Sequence, residues 1–194
     1  QIEIKNNHVV AVLTSNPDMP RIECENVLVA TNIWGPILGD RFDVPLPLLA
    51  FEHQYLVSEP LDELSMFDPN DRDQEAPFPL IRDLDVTMYY RGHWNKLGVG
   101  SYWHKPIPVN PYDVGQKAMR DFTPEHYVEA RKLADEIMPC YAGAEHERAF
   151  NGMFAFSVDG YPMMGETHVN GLWTCVASWI CLLYTSDAAD EWLR

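Results

Sequence analysis

Residues 48–58, Leu-Leu-Ala-Phe-Glu-His-Gln-Tyr-Leu-Val-Ser, form an unbroken β-type run directly behind Pro45 and Pro47. A strand this long needs partners on both edges, because an isolated strand leaves a row of unpaired backbone groups. Candidate partners follow. Val86–Arg91 and Leu97–Trp103 read as two strands joined through Gly92–Lys96, a second hairpin that predicts an antiparallel sheet.

Upstream, Val9–Leu13 and Ile22–Ala30 are β-rich runs separated by the turn string Asn16-Pro17-Asp18-Met19-Pro20, which predicts another hairpin. Val27 to Ala30 are apolar in succession, the pattern of a strand buried on both faces. Trp34–Leu38 is a short helical candidate. Glu59–Pro79 is acidic and proline-bearing with no sustained period, as in a surface excursion.

One helix stands out. Thr123-Pro124-Glu125 supplies a cap, a first-turn proline and a first-turn acid, and Tyr127, Ala130, Leu133, Ala134 and Ile137 recur at helical spacing until Pro139. Phe150–Glu166 is rich in Phe, Met and Gly around Asp159-Gly160, and Leu172–Ile180 reads as a buried strand.

The chain has 194 residues, 46% hydrophobic and 22% charged, enough to bury a core and too apolar for disorder. Its 29 acidic against 14 basic side chains leave −15, which argues against nucleic acid and anionic membrane surfaces as partners. The longest apolar stretch, Leu172–Tyr184, falls short of the ~20 residues that span a bilayer. The cytoplasm is the default expectation. Cys24, Cys140, Cys175 and Cys181 form no Cys-x-x-Cys pair, so reduced, mostly buried thiols are expected.

Period-two alternation puts Phe51, His53, Tyr55 and Val57 on one strand face. An imidazole on such an apolar face has its charged form disfavoured, which suits a proton acceptor for an amine. A core histidine satisfied by a backbone carbonyl fits the same pattern. On the next strand Tyr89 shares a face with Thr87 and Arg91, and Tyr90 shares one with Val86 and Met88, so one tyrosine packs while the other can meet a histidine. Tyr89 fits a proton relay or an ordinary cross-strand aromatic equally well.

Other chemistries find no motif. His-Glu-x-x-His is absent, and Asp68–Asp73 places Arg72 where a calcium loop needs oxygen, so no metal is expected. Gly98-Val99-Gly100 lacks the third glycine of a dinucleotide fingerprint, and no Gly-x-Ser-x-Gly elbow occurs.

Four strings in order carry a resemblance: Ala30-Thr31-Asn32-Ile33-Trp34-Gly35-Pro36, Glu52-His53-Gln54-Tyr55, Met88-Tyr89-Tyr90-Arg91, and Phe150 through Glu166 with its Ser157-Val158-Asp159-Gly160 turn. Over nearly all of residues 1–180 the chain resembles the FAD-dependent amine oxidoreductases of the dimethylglycine and sarcosine dehydrogenase group, in the D-amino-acid-oxidase-like superfamily. The resemblance implies an α+β fold: an antiparallel-sheet substrate domain with a covering helix, plus C-terminal remnants of a Rossmann-like FAD-binding domain. Residues 1–47 would end the FAD domain, 48–149 form the substrate domain, and 150–180 return to the FAD domain.

It further implies that His53 and Tyr89 are catalytic over a flavin, with Tyr55, Tyr90 and Arg91 around the amine. Ala30, Thr31, Trp34, Asp159, Gly160 and Gly165 would lie near FAD, with Asn32 where many relatives carry glycine. The implied substrate is a small N-methylated glycine or related secondary or tertiary amine, with tetrahydrofolate a further cofactor in longer members. The Gly-x-Gly-x-x-Gly turn and a flavin-linking histidine are expected upstream of Gln1. Residues 181–194 resemble a translated sequencing adapter. Two alternatives accompany this: a cofactor-free ligand-binding module, and a fragment inactive by itself.

Overall fold

The computed structural model describes residues 1–177. Strands β1 (Ile2–Lys5) and β2 (His8–Leu13) pair antiparallel around Asn6 and Asn7, both with positive φ, as a two-residue hairpin turn requires. β3 (Arg21–Glu23) returns along β2, so the expected hairpin forms. Its second strand is shorter than the sequence run. β4 (Val27–Val29) leaves for another sheet, and a 3-10 turn at Asn32–Trp34 leads into helix α1 (Gly35–Arg41).

β5 spans Leu48–Ser58 as the sequence suggests. After a stretch with only two 3-10 turns come β6 (Ile81–Asp83), β7 (Met88–His93), β8 (Lys96–Ser101), β9 (Ile107–Val109) and β10 (Met119–Asp121). Helix α2 (Val128–Ile137) follows, then the twelve-residue β11 (His146–Ser157), β12 (Met163–Glu166) and β13 (Leu172–Val176). No helix among the described residues is long and apolar enough to cross a membrane.

The chain divides into two units. Among the described residues, one comprises 1–50, 109–115 and 154–177; the other holds 51–108 and 116–153. In the second unit lies most of a seven-stranded sheet ordered β10-β11-β5-β8-β7-β6, with β9 also on β5. β5, β8, β7 and β6 pair antiparallel in sequence, and Tyr55 and Tyr89 both register against Gly100.

One face of this sheet makes the core. Leu56, Met88, Tyr90, Leu97 and Val99 pack with Tyr127, Ala130, Ala134 and Tyr141, the small Ala pair at i and i+4 letting α2 lie close. Pro139 lies just beyond the last helical turn. Thr123 does not cap with its side chain. Its hydroxyl instead accepts from Asn151 Nδ2, which also donates to Glu52, and its carbonyl accepts from Gln54 Nε2.

The first unit contains the hairpin sheet and a small mixed sheet in which β12 and β13 run antiparallel while β13 and β4 run parallel. Here one expectation fails. β4 is not buried on both faces: Val29 points inward with Leu172, Thr174 and Val176, whereas Leu28 is 62% exposed at the edge of that sheet. The thiols of Cys24, Cys140 and Cys175 are free but only partly buried, because each sits at a margin rather than in the core. Cys181, the end of the Leu172–Ile180 run and residues 181–194 lie outside the described residues.

Candidate functional site

The second face of the large sheet carries polar-tipped rings instead of aliphatics. β5 contributes His53 and Tyr55; β7 contributes Tyr89, Arg91 and His93. The Tyr89 hydroxyl lies 2.9 Å from His53 Nε2, and the Tyr55 hydroxyl 2.7 Å from His93 Nε2. Tyr55 and Tyr89 stack with centroids 5.8 Å apart and planes at 19°. The result is a row, His53, Tyr89, Tyr55, His93.

Such flat stacking needs a bare floor, and β8 supplies it. A Cβ at Gly100 would overlap the Tyr89 ring, and one at Gly98 would overlap Tyr55 and His93. The sequence carried this signal as glycine at alternate positions of a strand; sequence reasoning weighed Gly98-Val99-Gly100 only as a nucleotide fingerprint and missed its purpose.

Burial governs the chemistry of the row. His53 is 3% exposed and its ring stacks on Tyr102 at 3.8 Å. Desolvation, and then the nearby His104, push its pKa down to about 3, against a hydrogen bond with the Ser101 backbone. Desolvation also raises the Tyr89 phenol, followed by the neighbouring Tyr102 and Tyr55. Both partners are therefore uncharged near neutrality; in the tautomer protonated at Nδ1, the hydroxyl donates and Nε2 accepts. This corrects the expectation of an imidazole basic enough to take a proton near pH 7, since burial has carried it past that range.

The other end of the row is cationic. Tyr55 is raised by burial but lowered by the charges of Arg91 and Arg148, and His93 is lowered by burial and then by Arg91. Arg91 also pairs with Glu75 at 2.8 Å, both half-exposed. Arg148 lies over the Phe150 ring, which leans on Tyr55. Arg148 escaped the sequence reading because β11 carries no simple alternation there.

Tyr90 does not join this group. It is fully buried in the core with its hydroxyl 3.8 Å from the Met88 thioether Sδ, because a strand turns successive side chains to opposite faces. Its pKa is pushed up to about 12 by burial, then by Asp83.

The expected flavin-side residues fall in the first unit. Thr31 Oγ1 is buried without a hydrogen-bond partner just past the C-terminal end of β4, where α/β folds bind ligands. Asn32 adopts φ +44, tolerable for Asn as for Gly, and its Oδ1 accepts from the Ala177 amide at 3.0 Å. Trp34 Nε1 is engaged by the Gly115 carbonyl. Ala30, Asp159 and Gly160 are exposed, the last two in a turn where Asp159 Oδ1 accepts from the Tyr161 amide. Gly165, at φ +151, has open space where a Cβ would stand. An unpartnered hydroxyl and open glycine backbone suit a flat, multiply accepting group such as FAD.

The sequence profile described as FAD dependent oxidoreductase matches residues 1–178. The chain belongs to this family. Within it, the chain is 29% identical over 161 residues to 4-methylaminobutanoate oxidase (formaldehyde-forming) of Paenarthrobacter nicotinovorans, covering 82% of this chain and 18% of that protein. It is 23% identical over 164 residues to mitochondrial dimethylglycine dehydrogenase of Homo sapiens, covering 80% and 18%. The chain thus spans under a fifth of these relatives. L-proline dehydrogenase from P. horikoshii shares the fold, with TM-score 0.68 and 18% identity over 91% of this chain and 42% of that one. Glycine oxidase from Bacillus cereus does too, at TM-score 0.62 and 21% identity over 91% and 42%. Among the described residues no group of three or more His, Cys, Asp or Glu is placed to hold a metal ion.

Proposed function

We propose that this chain is the amine-handling portion, with part of the flavin-binding portion, of an oxidoreductase acting on an N-methylated amino acid. The observation that carries this is the polarised row on the large sheet: an uncharged His53–Tyr89 pair at one end and Arg91 with Arg148 near the other. A substrate with an amine and a carboxylate fits it in one direction only. The arginines attract the carboxylate, while the buried uncharged pair disfavours an ammonium and accepts the free base. The names of the relatives, a methylaminobutanoate oxidase and a dimethylglycine dehydrogenase, share this substrate class.

In this reading Thr31 and the Gly165 backbone hold FAD, and the parallel β4–β13 pair is a remnant of its Rossmann-like domain. FAD, when bound, supplies the hydride acceptor. His53 Nε2 accepts the Tyr89 hydroxyl proton and so orients the phenol, whose oxygen then accepts the N–H of the neutral amine. Excluding water from this pair keeps the amine lone pair unprotonated. The one-carbon product would pass to water or to tetrahydrofolate.

Replacing His53 by Ala in the complete holoenzyme is expected to slow flavin reduction by sarcosine or dimethylglycine at least ~100-fold, measured by stopped-flow bleaching. The rate should rise with pH along the ionisation of the substrate amine, with no inflection from His53 above pH 4. An unchanged rate in the variant rejects the role.

A further inference from the structure

Beyond the row, the second unit holds a recess of about 680 Å3 lined by Tyr102, Trp103, His104, Glu125, His126 and Glu129, with Lys105 beside them. Its size suits a small ligand. Tyr102 is shared: the residue that lines the recess is also the ring stacked on His53.

The hydrogen-bond inventory of this recess is unbalanced. His104 Nδ1 lies 2.8 Å from the Lys105 carbonyl oxygen. A carbonyl only accepts, so Nδ1 carries the proton and, in the neutral ring, Nε2 presents a lone pair. That Nε2 is buried and has no partner, and neither has the buried Nδ1 of His126, whose ring centroid is 6.0 Å from that of His104. A buried acceptor left unmade is costly, so a donor from outside the chain is called for. The remaining wall agrees: two carboxylates, Glu125 and Glu129, and two aromatic faces, Tyr102 and Trp103, all attract a cation. Lys105 is exposed and already gives its carbonyl to the ring.

We propose that this recess binds an organic ammonium ion, with His104 Nε2 accepting its N–H and the Tyr102 and Trp103 rings facing its alkyl groups. The proposal rests on the amine-oxidoreductase reading only in naming the physiological ligand, the protonated substrate amine held one ring away from the pair that takes it as free base.

The test is a titration of the full 194-residue chain with dimethylammonium chloride and, separately, tetramethylammonium chloride, followed by histidine ring NMR signals at constant ionic strength. Dimethylammonium should shift the His104 and His126 signals saturably, at millimolar concentration given so few heavy atoms. Tetramethylammonium has the same charge but no N–H and should bind ~10-fold or more weakly. His104→Ala should remove that difference. Equal binding of the two cations by the unmodified chain, or no saturable shift, overturns the proposal. Because the titration needs no flavin, saturable binding beside an unchanged flavin-reduction rate in the His53→Ala holoenzyme would retain the recess and discard the function. The opposite pair of results would do the reverse.

Discussion

Tyr89 and Tyr90 are chain neighbours with opposite fates. Tyr90 is wholly inside the core under α2, and Tyr89 lies on the other face of the same sheet, its hydroxyl on His53. Both phenols are raised by burial, yet Tyr89 hydrogen-bonds a histidine while the Tyr90 hydroxyl meets only a thioether. One face of the sheet is thus built for cohesion and the other for recognition, and what separates them is the parity of a residue number.

That contrast is easiest to break on the core side. Tyr90→Ala should cost about 3–5 kcal/mol, read as a fall in the guanidinium midpoint, because a large side chain leaves a hole that α2 cannot collapse into. Acid comes next. His53 titrates near 6.5 when unfolded and about 3 when folded, so the folded state binds fewer protons between those values. The stability due to this burial is complete above pH 6.5 and is lost as pH falls from there toward 3, at up to ~1.4 kcal/mol per pH unit. His93, also lowered, acts in the same direction. His53→Leu should flatten the curve in that window, and an unaltered slope would show that His53 is not desolvated.

Gly100→Ala sharpens the comparison from the recognition side. Its methyl would collide with the Tyr89 ring, so ~1–3 kcal/mol should be lost and the tyrosine near-UV dichroism should change. Tyr89→Phe is the mildest, removing one hydrogen bond for about 1 kcal/mol while leaving the packing intact.

Much of this was readable from the residues. Alternation alone placed His53 with Tyr55 and separated Tyr89 from Tyr90, since the period of a strand is strict. The bounds of β5 followed from Pro47 and from the polar run after Ser58. What alternation could not convey is pairing across strands: that Tyr55 would reach His93, that Gly100 would floor Tyr89 and Gly98 would floor Tyr55, and that Asn151 would claim the Thr123 hydroxyl. These depend on register, which is a property of two distant segments at once. The depth of desolvation at His53 was equally hidden, because it is set by Tyr102 and the strands around it.

The small mixed sheet has a practical corollary. Leu28 sits opposite Trp173 in the parallel ladder, and Met164 emerges on the same side, so these three, 62%, 40% and 58% exposed, form a greasy stripe in water. Contiguous oily surface of this kind promotes clumping. Anyone purifying this polypeptide alone should therefore plan for detergent or dilute handling, and a serine in place of Leu28 is the simplest remedy.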